Sequence, residues 1–153
     1  MIVFEEFRVK TTEREILLEI TNEIKRIVKN SNINEGTCCV FVPHTTAGIT
    51  INENADRSVM KDVANYLNKL IPKGGGLGYF FKHGEGNSDA HIKSSLTGNS
   101  INVLIHEGKL MLGTWQGIMI AEYDGPRNRN LVSLLCRFWF DDCISYYDQI
   151  SSR

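Results

Sequence analysis

The spacing of apolar side chains divides most of the chain into short elements. Residues 2–10 mix β-branched and aromatic positions with charges and predict a strand. Thr12 is followed three residues later by Glu15, the pattern of a helix capping box, and Ile16, Ile20, Ile24, Ile27 and Val28 then recur at helical intervals. An amphipathic helix is therefore expected from that box to about residue 30. "GTCCVFV" predicts a strand that Pro43 ends, because proline has no amide hydrogen to give a ladder. "GITINE" alternates and predicts the next strand. Val59, Met60, Val63, Leu67 and Leu70 mark a second helix, stopped near Pro72.

Between residues 72 and 90 the pattern changes in kind. Glycines interleave with aromatics and charges, and a loop of that length in a compact domain tends to be functional or mobile. A short helix over 88–96, closed by Gly98, follows. "INVLIH", "KLMLG", "WQGIMIAEY" and "LVSLLCRFWF" then predict four strands with short turns. The last of these is apolar on both alternating faces, so helices or another subunit must cover its second face. Helices early, strands at both ends and hairpin-length gaps late predict an α+β fold. Residues 1–153 read as a single compact domain with a largely antiparallel β-sheet and a few helices.

Composition removes some partners. Lysine plus arginine (17) nearly balances aspartate plus glutamate (18), for a formal charge of −1. Nucleic acid selects basic stripes, so it is not expected as a partner, whereas a small anion needs only a local pocket. No apolar run approaches the roughly 20 residues of a membrane span, and Glu5, Glu6 and Arg8 interrupt the first apolar residues. The cysteines form no CxxC pair, and Cys38 and Cys39 lie in an apolar run, as buried free thiols would. A soluble, cytoplasmic protein with no membrane partner is expected.

"VFVPHTTAGITINENAD" is where stability yields to something else: a strand breaks at proline and exposes His44, Thr45 and Thr46. His83 in "FKHGEGN" and His91 in "SDAHIK" also have polar and glycine neighbours suited to a pocket. Each alone reads as a solvated surface histidine; together the three suggest a site, as metal ligands, acids or anion donors. His106 ends an apolar alternation and stays with the surface reading. "KGGGLG" lacks the Gly-Lys-Ser/Thr of a phosphate loop, so a flexible lid or turn fits 73–78 better. Asn87, Ser88 and Asp89 form an N-cap cluster whose helix amides suit an anion. In "EYDGPRNR" turn chemistry explains Asp124, Gly125 and Pro126, while Arg127 and Arg129 either fork onto a phosphate or lie solvated. In "GTWQG", Trp115 reads as packing and Gln116 as a group that orients a ligand or satisfies the backbone.

"PHTTAGITINENAD", "GNSDAH", "GTWQ" and "EYDGPRNR" stand in an order that resembles the signature blocks of the YjbQ-like family, described as secondary thiamine-phosphate synthases. The resemblance implies an α+β homotrimer that joins hydroxymethylpyrimidine diphosphate to a thiazole phosphate, releasing pyrophosphate. Carried onto this chain, it makes His44, His83 and His91 the recurrent histidines. Glu53, Gln116, Glu122, Asp124, Arg127 and Arg129 match the recurrent polar positions. The expected catalytic set is His44, Glu53, His83 and His91, and the same three histidines are the expected metal ligands. Thr45, Thr46, Asn87, Gln116, Arg127 and Arg129 are expected to bind the phosphorylated substrate. A divalent metal is expected, either zinc at the histidines or magnesium with the diphosphate. A non-catalytic trimeric metal- or anion-binding protein, or a metal-dependent hydrolase using the same histidines, remains open.

Overall fold

A computed structural model describes residues 1–138. In chain order the elements are β1 (Ile2–Lys10), β2 (Ile16–Glu19), α1 (Thr21–Ser31), β3 (Gly36–Phe41), β4 (Ala47–Glu53) and α2 (Arg57–Leu70). There follow β5 (Gly75–Gly76), β6 (Tyr79–Phe80), α3 (Ser88–Thr97), β7 (Ser100–His106), β8 (Lys109–Leu110), β9 (Gln116–Glu122) and β10 (Asn128–Arg137). Every strand pairing is antiparallel. Five strands form one sheet in the order β1-β10-β3-β7-β8, three form a second in the order β2-β9-β4, and β5 with β6 makes a small hairpin.

One core lies between the two sheets. Ile118 and Ile120 of β9 and Ile49 of β4 meet Val40, Val103, Leu131 and Leu135 of the larger sheet, and α1 adds Ile24, Ile27 and Val28. Because side chains alternate along a strand, Met119 and Ala121 of β9 point the other way. They join Leu17, Ala90 and Tyr123 in a second cluster, packed by Met60, Val63, Ala64 and Leu67 of α2. β9 is therefore covered on both faces and needs its apolar run "GIMIA".

The capping box expected at Thr12 and Glu15 does not form. Residues 16–19 pair with β9 as a strand, from Ile16 opposite Glu122 to Glu19 opposite Met119, and the helix begins only at Thr21. Glu15 instead receives the Lys93 ammonium at 2.9 Å. Ile16 and Ile20 share the four-residue spacing of Ile24, but the consecutive Ile16, Leu17 and Leu18 suit a strand covered on one side by α2. Within the expected loop 72–90 the structure has the β5–β6 hairpin, turned by Leu77 and Gly78, both with positive φ (53° and 79°).

The apolar second face anticipated for β10 is real. The register places Ile2 and Phe4 of β1, Leu134 and Cys136 of β10, Cys39 and Phe41 of β3 and Leu104 of β7 on one outer face. Ile2 is 70% exposed, Phe4 59% and Leu104 57%, so the described helices leave this face open. Cys39 is accordingly only half-buried, while Cys38 points inward, where burial pushes its thiol up to about 12. Trp139 and Phe140, which complete the apolar run, and Cys143 lie outside the described residues. Among the described residues no helix is long and apolar enough to cross a membrane.

The C-terminal end of α3 is held against β4 at very short range. Ser94 Oγ donates to the Ala47 carbonyl at 2.7 Å, and the Ile49 amide donates to the Gly98 carbonyl at 3.0 Å. A Cβ on Gly48 would stand 2.7 Å from the Gly98 oxygen and 2.9 Å from the Thr97 Cβ, so this strand position requires glycine. Gly48→Ala is expected to lower stability by about 1–3 kcal/mol in urea unfolding, the usual range for overpacking. Gly84→Ala, where an added Cβ meets nothing within 4 Å, is expected to leave the midpoint nearly unchanged.

Candidate functional site

After β3 the chain turns at Pro43, and the His44 amide donates to the Val42 carbonyl at 2.8 Å. The imidazole then lies against β10, its Nε2 3.1 Å from the Asn130 amide. Burial, with the nearby Arg129 charge, holds the His44 pKa below the usual imidazole range, so the ring is neutral near pH 7. Thr46 is buried and accepts from Arg129 Nη2 at 2.9 Å, whereas Thr45 opens with His44 onto a cavity.

Behind this loop lies a network of four acids and four bases, mutually paired. Arg129 donates through Nε to Glu122 Oε2 at 2.7 Å and through Nη2 to Oε1, with both side chains buried. Thr11 Oγ1 adds a bond to Glu122 at 3.0 Å, and the Asp124 amide another at 2.9 Å. Burial alone would raise the Glu122 carboxyl; Arg129 and these donors hold it below the usual range instead. Arg127 forks onto Asp124, through Nε to the carbonyl at 2.7 Å and Nη2 to the carboxylate at 2.6 Å. Asp89 is fully buried and takes Arg14 on both oxygens at 3.1 Å and Lys93 at 3.4 Å. Arg14 and Lys93 also share Glu15. Burial pushes Asp89 up, and its two cations more than reverse the push.

Asn87 occupies the N-cap position of α3 but makes no side-chain capping bond. Its Nδ2 donates to Asp124 Oδ2 at 3.1 Å, and its buried Oδ1 has no hydrogen-bond partner among the described residues. The cluster expected to cap α3 therefore ties the helix to the β9–β10 turn. Arg14, Lys93 and Glu15 were not among the residues expected at the site. The Asp89–Lys93 spacing of four on a helix was a visible signal; nothing local marks Arg14, which lies 75 residues from its partner.

The histidines gather along α3. His83 and His91 stand edge to face with ring centroids 5.3 Å apart. They share a cavity of about 410 Å³ with Tyr79, Phe81, Lys82 and Ser88. His91 also lines an adjoining cavity of about 510 Å³, with His44, Thr45, Ser94 and Ser95. Among the described residues no three His, Cys, Asp or Glu side chains are grouped to hold a metal ion. The three-histidine ligand set therefore does not close within one chain.

Glu53 and Gln116 lie elsewhere. They face each other at one end of the β4–β9 pair, while Ala47 faces Glu122 at the other. Six residue steps of strand separate the ends by about 20 Å. Gln116 Oε1 accepts from the Gly113 amide at 2.8 Å and so closes the turn before β9, and Trp115 beside it is exposed. His106 pairs with Glu35 at the surface.

Arg129→Ala leaves the buried Glu122 without its counter-ion and is expected to destabilise by about 3–5 kcal/mol, with Glu122→Gln in the same background restoring part of it. The carboxyls of Glu122, Asp89 and Asp124 have folded pKa values below their ordinary ones. Their contribution is present above the unfolded pKa of about 4 and is lost as pH falls through the folded values. Urea midpoints measured from pH 6 to pH 3 should therefore drop steeply below about pH 4, and less steeply in Arg129→Ala.

Comparison with known proteins agrees with the blocks noted in the sequence. A UPF0047 protein of Methanocaldococcus jannaschii is 54% identical over 123 residues, 80% of this chain and 86% of its own. YugU of Bacillus subtilis, also a UPF0047 protein, is 45% identical over 122 residues, 80% and 90% of the two chains. The crystal structure of an uncharacterised family protein from Clostridium acetobutylicum superposes with a TM-score of 0.82 at 48% identity, over 86% of this chain and 99% of that one. A YbjQ-like protein of unknown function from Sulfolobus solfataricus gives 0.83 at 31%, over 90% and 99%. With the family model for UPF0047 YjbQ-like proteins matching residues 5–137, the chain belongs to the YjbQ-like UPF0047 family.

Proposed function

We propose that this protein is a transferase of the thiamine-phosphate synthase type, joining hydroxymethylpyrimidine diphosphate to a thiazole phosphate in the cytoplasm. The observation that supports this reading is the pair of adjoining cavities with His91 in the wall of both. A two-substrate transfer needs two such places whose reacting ends meet. The bond between the pyrimidine methylene carbon and the diphosphate oxygen breaks, and pyrophosphate leaves with the electron pair. The thiazole ring nitrogen then forms the new carbon–nitrogen bond. No protein nucleophile is required; the departing charge must be neutralised.

Lys82, His83 and His91 line one of these cavities and can neutralise that charge. Arg127, half-exposed beside Asp124, can add a guanidinium, whereas the buried Arg129 acts by fixing Glu122 and Thr46. The divalent ion of this reading is magnesium brought by the diphosphate, since the histidines do not converge in one chain. The same cavity, with Lys82, His83 and His91 in its wall, also suits a second reading, a non-catalytic anion-binding protein.

Assembly as a homotrimer completes the proposal. The open apolar face of the larger sheet supplies a surface to bury, and Glu53 and Gln116 reach a histidine cluster only if a neighbouring copy presents it. Supplied with both phosphorylated precursors and magnesium, the protein should release thiamine phosphate and pyrophosphate in equal amounts. His91→Ala should reduce the rate at least about 100-fold. Pyrophosphate binding without product would move the protein to the anion-binding reading. Coexpressed His91→Ala and Gln116→Ala chains should recover activity in mixed assemblies. A monomer at micromolar concentration by light scattering would remove the shared site.

A further inference from the structure

The β5–β6 hairpin distributes its side chains unevenly. β5 is bare glycine, with Gly76 opposite Tyr79 and Gly75 opposite Phe80, and the Phe81 amide continues the pairing onto the Gly74 carbonyl. At Gly75 no other residue fits, because its φ is +133° and a Cβ would collide with the Tyr79 carbonyl oxygen. Every side chain of this ribbon therefore comes from the aromatic strand. Alternation sends Tyr79 and Phe81 to one side and Phe80 to the other. Phe80 is 83% exposed, while Tyr79 and Phe81 both line the cavity that holds His83 and His91.

Their rings are tilted at 58° with centroids 6.2 Å apart. The glycine strand opposite carries nothing to cover them, and Ile92 of α3 supplies a further apolar wall. Lys82, Ser88 and His91 provide charge and hydrogen bonds in the same cavity. An aromatic wall beside a cationic one fits a flat ring carrying an anionic tail, since aromatic faces stack on heteroaromatic rings.

Resting on the reading of the histidine site as a phosphate-handling site, we propose that the cavity bounded by Tyr79, Phe81 and Ile92 is the subsite for a planar nitrogen heteroaromatic ring, whose phosphate lies toward Lys82 and Ser88. The adjoining cavity at His44 then takes the second substrate, and the hairpin sets specificity for the first.

Calorimetry with three probes tests this: hydroxymethylpyrimidine monophosphate, ribose 5-phosphate and inorganic pyrophosphate. The wild-type protein should bind the pyrimidine phosphate more tightly than the sugar phosphate. Tyr79→Leu and Phe81→Leu keep apolar bulk and lose the aromatic face; each should weaken the pyrimidine phosphate about five- to hundred-fold, the range for loss of one ring stack. Pyrophosphate affinity should be unchanged in both, which also shows that the variants fold. Phe80→Leu, on the other side of the ribbon, should behave as wild type. Equal binding of pyrimidine and sugar phosphates, or Leu variants indistinguishable from wild type, overturns the aromatic subsite and leaves the anion site standing. Failure of pyrophosphate itself to bind wild type overturns both.

Discussion

The buried pair of Glu122 and Arg129 is the contact on which the arrangement of loops around the histidines depends. It ties the end of β9 to the start of β10 across the Asp124–Pro126 turn, and its spare bonding capacity recruits two other segments. Thr11 binds Glu122 from the link between β1 and β2, and Thr46 binds Arg129 from the loop that carries His44. Four chain segments thus meet at one desolvated ion pair. Such a pair adds little net stability compared with apolar packing, but breaking it on one side is severe. Its value here is positional: His44 lies on a loop without regular structure, and the Thr46 bond holds that loop against β10.

A second ionic group does the same for α3. Asp89 and Lys93 are one helical turn apart and wholly buried, and both reach the segment before β2, through Arg14 and Glu15. Together with the Gly48 contact, this presses α3 onto the smaller sheet and places His91 between two cavities. The charges closest to the cavities are largely consumed by one another. The cavity walls are instead made of imidazoles, Lys82, hydroxyls and the aromatic hairpin, groups outside that network.

Much of the fold was legible along the chain. β1, β3, β4, α2, α3 and the four late strands follow their patterns because apolar residues at strand or helix spacing, or in an unbroken run as in β9, mark the faces that become buried. Residues 12–20 were misread for an identifiable reason. Ile16, Ile20 and Ile24 keep a spacing of four across a junction between strand and helix, and only pairing with β9 shows that the first belongs to a ladder. Thr12 and Glu15 imitate a capping box, while the neighbouring Thr11 makes the bond to Glu122.

The sequence by itself determined the α+β class, the family, the proline break that exposes His44, the histidines that line the cavities, and the apolar second face of β10. These depend on residue type and short spacing, which the chain order preserves. Only the tertiary structure decided which charges pair. Arg129 looked available for phosphate until the fold set Glu122 against it, and Arg14 had no visible role until Asp89 came to it across 75 positions. It also separated Glu53 and Gln116 from the histidines by the length of a strand. Ion pairs and cavities arise from distances between remote segments, and those distances exist only once the two sheets have packed.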